Sequence, residues 1–260
     1  MKSKTSMLWM ILMLGGTASA QSTAPAQTAP AAQPAAAGAV TREAGAITAL
    51  EKMGAYLRTL TTFQVRGDGS TEDVYENGQK IQLPGTIDLL VSRPNRLRAN
   101  LNSTLKRREF FYDGKALTIF APRQGYYAVV AAPPTIKEMI DLASERLQLV
   151  LPMSDLFELG IDPQLTNRIT AAAFVSTDVI GDQVCNHYAF RQPGVDWQIW
   201  IRDGAQPLPC KWVLTSTADA AQPNYEMRFT WDLKPTIPPE AFTFVPPEGA
   251  DRISIAAVKE

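Results

Sequence analysis

The spacing of apolar residues along the chain indicates one helix followed by a long series of strands. From Thr41 to Leu60 the apolar positions recur at helical intervals, at Ile47, Leu50, Met53 and Leu57. This spacing predicts an amphipathic helix, with Thr41 as its expected N-cap. After Thr61 apolar and polar residues alternate instead, over 63–66, 87–92 and 96–101, which is typical of strands with one buried face.

Turn-forming pairs separate these alternating runs. Asn77-Gly78, Asp113-Gly114 and Asp203-Gly204 each supply the positive φ angles that short hairpin connections require. Strands joined by such short turns pair with their sequence neighbours, so the pattern predicts an antiparallel meander.

A helical segment interrupts the meander. Pro133-Pro134 ends a strand, and Thr135 with Glu138 has the spacing of a capping box. The apolar face of the helix that follows, over 135–149, consists of Ile136, Met139, Ile140, Ala143 and Leu147. A second, short helix is expected around Ser154 to Leu159.

The strand pattern is clearest at residues 224–233, where large apolar side chains alternate with charged and polar ones. We therefore predict an α+β fold with one large curved antiparallel sheet of about ten or eleven strands and helices on its concave face. If helix 135–149 covers an apolar cavity, the candidates for its lining are Ile136, Met139, Ile140, Leu147, Tyr225, Met227, Phe229 and Trp231.

The N-terminus has the features of a secretory signal. Lys2 and Lys4 precede the apolar run 7–14, and Ala18-Ser19-Ala20 is an A-x-A cleavage pattern. Residues 21–41 are rich in Ala and Pro and are expected to form a disordered linker, which leaves 42–260 as a single domain. The sequence thus predicts a soluble, periplasmic mature protein without a transmembrane segment, and we expect a monomer.

The composition limits the kinds of partner, metal site and catalytic group that the chain is expected to have. With 25 basic and 26 acidic residues there is no electrostatic case for a nucleic-acid partner, and one histidine with two cysteines predicts no metal site and no cofactor. His187 and Asp196 are the residues on which a distant hydrolase hypothesis would depend. Ser70 does not lie in a G-x-S-x-G elbow, so we predict no catalytic residues.

Several motifs resemble one family of exported bacterial proteins. They are Phe111–Lys115, His187–Arg191, Asp196–Ile201 and Pro238–Phe244. The family is known as domain of unknown function 2092, and the resemblance covers residues 42–258. It is similar in turn to periplasmic carriers of the LolA, LolB and LppX type. That resemblance implies an unclosed β-barrel around a helical lid, with an apolar cavity that accepts lipid or acyl chains.

These observations lead to a first hypothesis, a non-enzymatic periplasmic binder or carrier of an acyl chain, lipid or lipidated protein. The alternative is an envelope scaffold that binds a protein partner through the sheet edge or the lid and carries no ligand. The basic run Lys106–Arg108, together with Arg93, Arg96 and Arg98, could form a patch for anionic headgroups or an acidic partner, although a solvated sheet face is the simpler interpretation.

Cys185 and Cys210 leave one intrachain pairing, and an oxidising compartment favours it. Against it, the two cysteines lie on the outer strands of an expected three-strand meander, about 9.5 Å apart, whereas a disulfide requires Cα atoms within about 7 Å. A bend at that end of the meander could bring them together. The sequence leaves the disulfide open.

Overall fold

The structure is a computed structural model that describes residues 41–149, 151–158 and 166–255. The expected signal peptide 1–20 and nearly all of the linker 21–41 lie outside these ranges, as does the end of the expected short helix, Leu159. The described helices are α1 (Ala44–Thr59), α2 (Ile136–Arg146) and a 3₁₀ helix at Ser154–Phe157. The strands are β1 (Thr62–Val74), β2 (Lys80–Ser92), β3 (Arg96–Ser103), β4 (Arg107–Tyr112), β5 (Ala116–Ala121), β6 (Tyr126–Ala131), β7 (Ala171–Ile180), β8 (Gln183–Gln192), β9 (Val195–Arg202), β10 (Pro209–Ser216), β11 (Asn224–Asp232) and β12 (Asp251–Arg252).

All of these strands belong to one twelve-stranded sheet in the order β12-β6-β5-β4-β3-β2-β1-β11-β10-β9-β8-β7. Every described pairing between neighbouring strands is antiparallel except that of β12 with β6, which is parallel. Because β12 and β7 stand at opposite ends of this order, the sheet is unclosed. The predicted fold class is confirmed.

The sheet consists of two meanders joined by a single long-range pairing. Strands β1 to β6 and strands β7 to β11 each follow one another in sequence, as predicted. The two groups meet where β1 pairs with β11, for example at Val65 and Trp231. Neighbour-to-neighbour pairing did not predict this join.

The two faces of the sheet differ in character. Val65 and Leu89, which pair across β1 and β2, are both fully buried, and we call the face of the sheet on which they lie the inner face. The next residues along, Arg66 and Asp88, form an ion pair of 3.0 Å on the opposite, outer face. The segment around the 3₁₀ helix lies on the inner face, because Phe157 contacts Phe63 with 6.5 Å between ring centroids. The helix α1 packs against β7 and this 3₁₀ helix.

The start of α1 differs from the prediction. Thr41 is not the N-cap, because residues 41–43 run beside β7 in a parallel bridge between Arg42 and Ala172. Glu43 occupies the N-cap position without a side-chain cap, since its carboxylate accepts the backbone N–H of Phe174. At α2 the prediction is confirmed, because the Thr135 hydroxyl oxygen accepts the backbone N–H of Glu138.

The C-terminal segment covers part of the outer face. Phe244 packs against Phe111, Phe120 and Tyr127, with ring centroids 5.2 to 5.3 Å apart. Further on, Asp251 and Arg252 add β12 to the edge of β6. The chain therefore protects one edge of its sheet with its own last described residues.

Candidate functional site

The inner face of β11 contains the four aromatic and apolar residues that the sequence singled out. Met227 is fully buried, whereas Tyr225, Phe229 and Trp231 remain partly exposed. Their neighbours in β11, such as Glu226 and Arg228, point to the outer face and make ion pairs there. The partly exposed side chains of Tyr225, Phe229 and Trp231 therefore lie on the apolar face of β11, opposite the face that carries the charged residues.

Contacts around these residues come from elements that sequence reasoning did not connect with them. Trp231 packs against Phe63 with 5.6 Å between ring centroids, and Phe229 meets the ring of Trp212 edge-on at 4.9 Å. The indole N–H of Trp231 donates to the carbonyl of Pro209 over 2.8 Å. Met153, just before the 3₁₀ helix, lies over Gly67 beside Met227. We call Phe63, Trp212, Tyr225, Met227, Phe229 and Trp231 the inner aromatic group.

The candidate residues of α2 lie on a different part of the sheet. Ile136, Met139 and Ile140 are buried, and Leu147, just past the helix end, is half-buried. The helix is anchored at its start, where the N–H of Ile136 donates to the carbonyl of Pro94 in the turn between β2 and β3. In the sheet, β2 and β1 lie between that turn and β11. The structure therefore places the two predicted sets on the same sheet without showing them as one site.

Tyr112 provides a second anchor for the entry to α2. Its hydroxyl donates to the carbonyl of Pro133, and its ring is fully buried. Burial raises the pKa of Tyr112 to about 12, and the carboxylates of Glu138 and Asp113 add to the effect. The group therefore stays a neutral hydrogen-bond donor throughout the physiological pH range.

His187 is part of a polar cluster on the outer face of β7, β8 and β9. Its Nε2 lies 3.0 Å from the amide oxygen of Gln198, and its ring stacks on Trp200 at 3.9 Å. On the other side of the ring, Nδ1 is 3.6 Å from Asp178 and 3.5 Å from the hydroxyl of Ser176. The Ser176 hydroxyl is also within 3.1 Å of both carboxylate oxygens of Asp178.

This cluster does not have the geometry of a catalytic triad. A triad places the nucleophile at one ring nitrogen and the carboxylate at the other. Here Ser176 and Asp178 both approach Nδ1, while Gln198 occupies Nε2. Asp196, the other residue of the hydrolase hypothesis, accepts two hydrogen bonds of 2.6 and 2.7 Å from Arg191. This pairing lowers the pKa of the Asp196 carboxyl, so the group is poorly suited to act as a general acid.

His187 is expected to make stability depend on pH. Burial lowers its pKa below the ordinary value of 6.5, and this effect outweighs the hydrogen bond with Gln198 and the charge of Asp178, which both raise the pKa. The unfolded chain then binds the proton more readily than the folded one, so stability is fully present above about pH 6.5 and is lost as the pH falls through the lowered pKa. Denaturant unfolding at pH 7.5 and at pH 5.5 measures this effect. On going from pH 7.5 to pH 5.5, the free energy of unfolding should fall less for His187→Gln than for the wild type. Because His187 is the only histidine, equal losses in both proteins would contradict this assignment.

The structure joins Cys185 of β8 to Cys210 of β10 in a disulfide with a Cα–Cα distance of 6.8 Å. The middle strand β9 still runs between them, since Ile201 pairs with both Asn186 and Pro209. A register shift between Pro209 and Lys211 supplies the bend that the sequence analysis required. Trp200 packs against the disulfide beneath the His187 ring.

Two kinds of feature are absent from the described residues. No group of three or more His, Cys, Asp or Glu side chains there is placed to hold a metal ion. None of the described helices is long and apolar enough to cross a membrane.

Comparisons with known proteins give one family and several solved structures. The family model described as "Predicted periplasmic protein (DUF2092)" matches residues 46–256. No curated protein matches. Lipoprotein LppX from Mycobacterium tuberculosis is 10% identical, with 74% of this chain and 97% of that chain covered at a TM-score of 0.46. LprF from Mycobacterium bovis is 15% identical, with 76% of this chain and 98% of that chain covered at a TM-score of 0.43. A LolA superfamily protein from Nitrosomonas europaea is 12% identical, with 76% of this chain and 97% of that chain covered at a TM-score of 0.35.

Proposed function

The chain belongs to the DUF2092 family of predicted periplasmic proteins, and from this premise we propose that it is a non-enzymatic periplasmic binder of an apolar ligand. The ligand is an acyl chain, either free or as part of a lipid or a lipidated protein. It lies against the inner aromatic group, and α2 shields the neighbouring part of the inner face.

The observation that carries this proposal is the incomplete burial of Tyr225, Phe229 and Trp231. On the same face, Val65 of β1 and Ile199 of β9 are completely buried. A sheet that used this face only as a core would cover these large aromatic side chains as well. Partly exposed aromatic residues on the apolar side of an open sheet are typical of a ligand-binding surface.

The shape of the ligand follows from the chemistry of this group. Aromatic rings and methionine side chains present apolar surface with few hydrogen-bonding atoms, and this suits a flexible hydrocarbon chain. Met153 and Met227 are unbranched, so they can change rotamer as a chain enters. The outer face of the same strands carries ion pairs such as Lys211 with Glu226, which would oppose an apolar ligand there.

A charge placed in the inner aromatic group should prevent uptake. Phe229→Glu is expected to weaken binding of a fluorescent fatty acid about tenfold or more, because the carboxylate must be desolvated against the hydrocarbon chain. The matched control is Thr230→Glu, one residue further along β11 on the exposed outer face, which should bind like the wild type. Thermal melting of both variants shows whether each remains folded.

Native mass spectrometry of protein purified from the periplasm provides a second readout. Co-purified lipid supports the proposal. Equal uptake by the folded Phe229→Glu and Thr230→Glu proteins would contradict the position of the site. Absence of bound lipid together with no uptake by the wild type would contradict the function.

A second candidate function, an envelope scaffold that binds a protein partner, is favoured by the edge of β7 beyond Phe174, past the part that residues 41–43 cover. Val175 and Val179 on this part of β7 are 51% and 68% exposed. Such an edge can accept an added strand from a partner. Retrieval of the same envelope protein by the wild type and not by Val179→Lys would favour this alternative.

A further inference from the structure

A basic surface lies where the turn between β3 and β4 meets the turn between β5 and β6. It consists of Leu105, Lys106, Arg107, Arg108 and Arg123, and we call it the basic tip. The first turn is tight, because the N–H of Ser103 donates to the carbonyl of Lys106 over 2.8 Å and the N–H of Lys106 donates to the Ser103 hydroxyl over 3.0 Å. Leu105 lies in this turn, and its side chain is 61% exposed.

Side-chain hydrogen bonds hold the two turns together. Arg123 donates to the carbonyls of Thr104 and Ser103 over 2.8 and 2.9 Å. In the opposite direction, Arg108 donates to the amide oxygen of Gln124 over 3.1 Å. The position of Leu105 is therefore fixed by hydrogen bonds from a neighbouring turn.

The charge of this surface is positive. Four cations lie in the basic tip, and the nearby anion Glu109 forms an ion pair of 3.3 Å with Arg107. The adjoining strand β12 contributes Asp251 and Arg252, whose charges offset each other.

The basic tip differs from the basic patch that was expected from the sequence. Arg93, expected in it, instead donates to Leu60 and lies over the ring of Phe157. Arg98 lies over Phe111.

We propose that the basic tip docks the protein on the surface of an anionic lipid bilayer, with Leu105 inserted between headgroups. Cations attract the negative lipid surface, and an exposed leucine gains free energy by leaving water for the interfacial region. Tyr126 at the adjacent turn is 45% exposed, and a tyrosine suits the boundary between headgroups and acyl chains. An acidic protein would be bound by the cations but would not explain a projecting apolar residue among them.

The test is co-sedimentation with vesicles of phosphatidylcholine, with and without phosphatidylglycerol. The wild type should bind only the vesicles that contain phosphatidylglycerol, and salt should weaken binding. Lys106→Gln should weaken binding about fivefold, since each cation near the surface contributes about 1 kcal/mol. Leu105→Ser should also weaken it about fivefold, through loss of partial apolar burial.

Two variants serve as matched controls. Tyr75 is 53% exposed on the turn between β1 and β2, with the acidic residues Asp73 and Glu76 close to it in the sequence, so Tyr75→Ser should leave binding unchanged. Lys234 follows β11 at the far end of the sheet from the basic tip, and Lys234→Gln should also have no effect.

Three results would overturn the proposal. They are no binding by the wild type, equal losses in the control variants, or a loss with Lys106→Gln but none with Leu105→Ser. The last result would show that the cations attract anionic headgroups without insertion of Leu105. Fatty-acid uptake by Leu105→Ser in solution should equal that of the wild type, so failure of vesicle binding is separate from failure of the proposed ligand site.

Discussion

Gly69→Ala is expected to destabilise the protein by about 3 kcal/mol or more, because an added methyl group has no space and meets backbone on the neighbouring strand. A Cβ atom on Gly69 would lie 2.8 Å from the Cα of Met227 and closer still to the carbonyl oxygen of Glu226. Backbone atoms in a paired strand cannot turn aside as a side chain can. The ladder between β1 and β11 would have to separate locally.

Alanine substitutions at two other glycines serve as controls, because the added Cβ atom meets different surroundings there. At Gly67 the added atom would meet the Sδ of Met227 and the terminal methyl of Met153, 2.5 and 2.6 Å away. These are flexible side chains and not backbone, so Gly67→Ala should cost less than Gly69→Ala. At Gly45, in the first turn of α1, nothing lies within 4 Å, and Gly45→Ala should stabilise the protein by up to about 1 kcal/mol. Urea unfolding of the three variants gives the order. A Gly69→Ala protein as stable as Gly67→Ala would contradict the close approach of β1 and β11.

Removal of the disulfide should have an effect of similar size. The double variant Cys185→Ala/Cys210→Ala is expected to lose about 3 kcal/mol, because the 25-residue separation is no longer restricted in the unfolded chain. For a domain of this size that corresponds to a melting temperature lower by about 6–12 °C. A reductant should lower the melting temperature of the wild type and leave that of the double variant unchanged.

Peptide mapping without reduction is the direct check on this bond. One linked peptide containing both cysteines is expected in protein purified from the periplasm. Two free thiols, or a wild-type melting temperature that does not respond to reductant, would contradict the disulfide.

The sequence predicted those parts of the fold that depend on local patterns. Thr135 caps α2 as expected, because a capping residue is recognised by neighbours only three positions away. The alternation at Tyr225, Met227 and Phe229 correctly gave the two faces of β11. Periodicity identifies which face of an element is buried, but it does not identify the element that covers it.

The remaining parts depend on long-range contacts without a periodic signal. Met153 and Phe157 belong to a segment too short for a helical repeat, so their approach to the inner face was not predictable. Arg123 was also missed, because its hydrogen bonds reach the carbonyls of another turn. Phe244 lies in a proline-rich stretch outside any strand, and only the structure shows its contacts with three aromatic rings.

The join between the two meanders has a consequence for how the chain acquires its structure. Val65 pairs with Trp231, and most of both meanders lies between these two residues in the sequence. Closing so long a loop is entropically costly, and we expect this ladder to form late, after each meander has assembled from local hairpins. Until then one edge of this thirteen-residue strand is open to association with other unfolded chains. Arg66, Asp68 and Glu72 place charges along that strand, and charged side chains oppose aggregation while it waits for its partner.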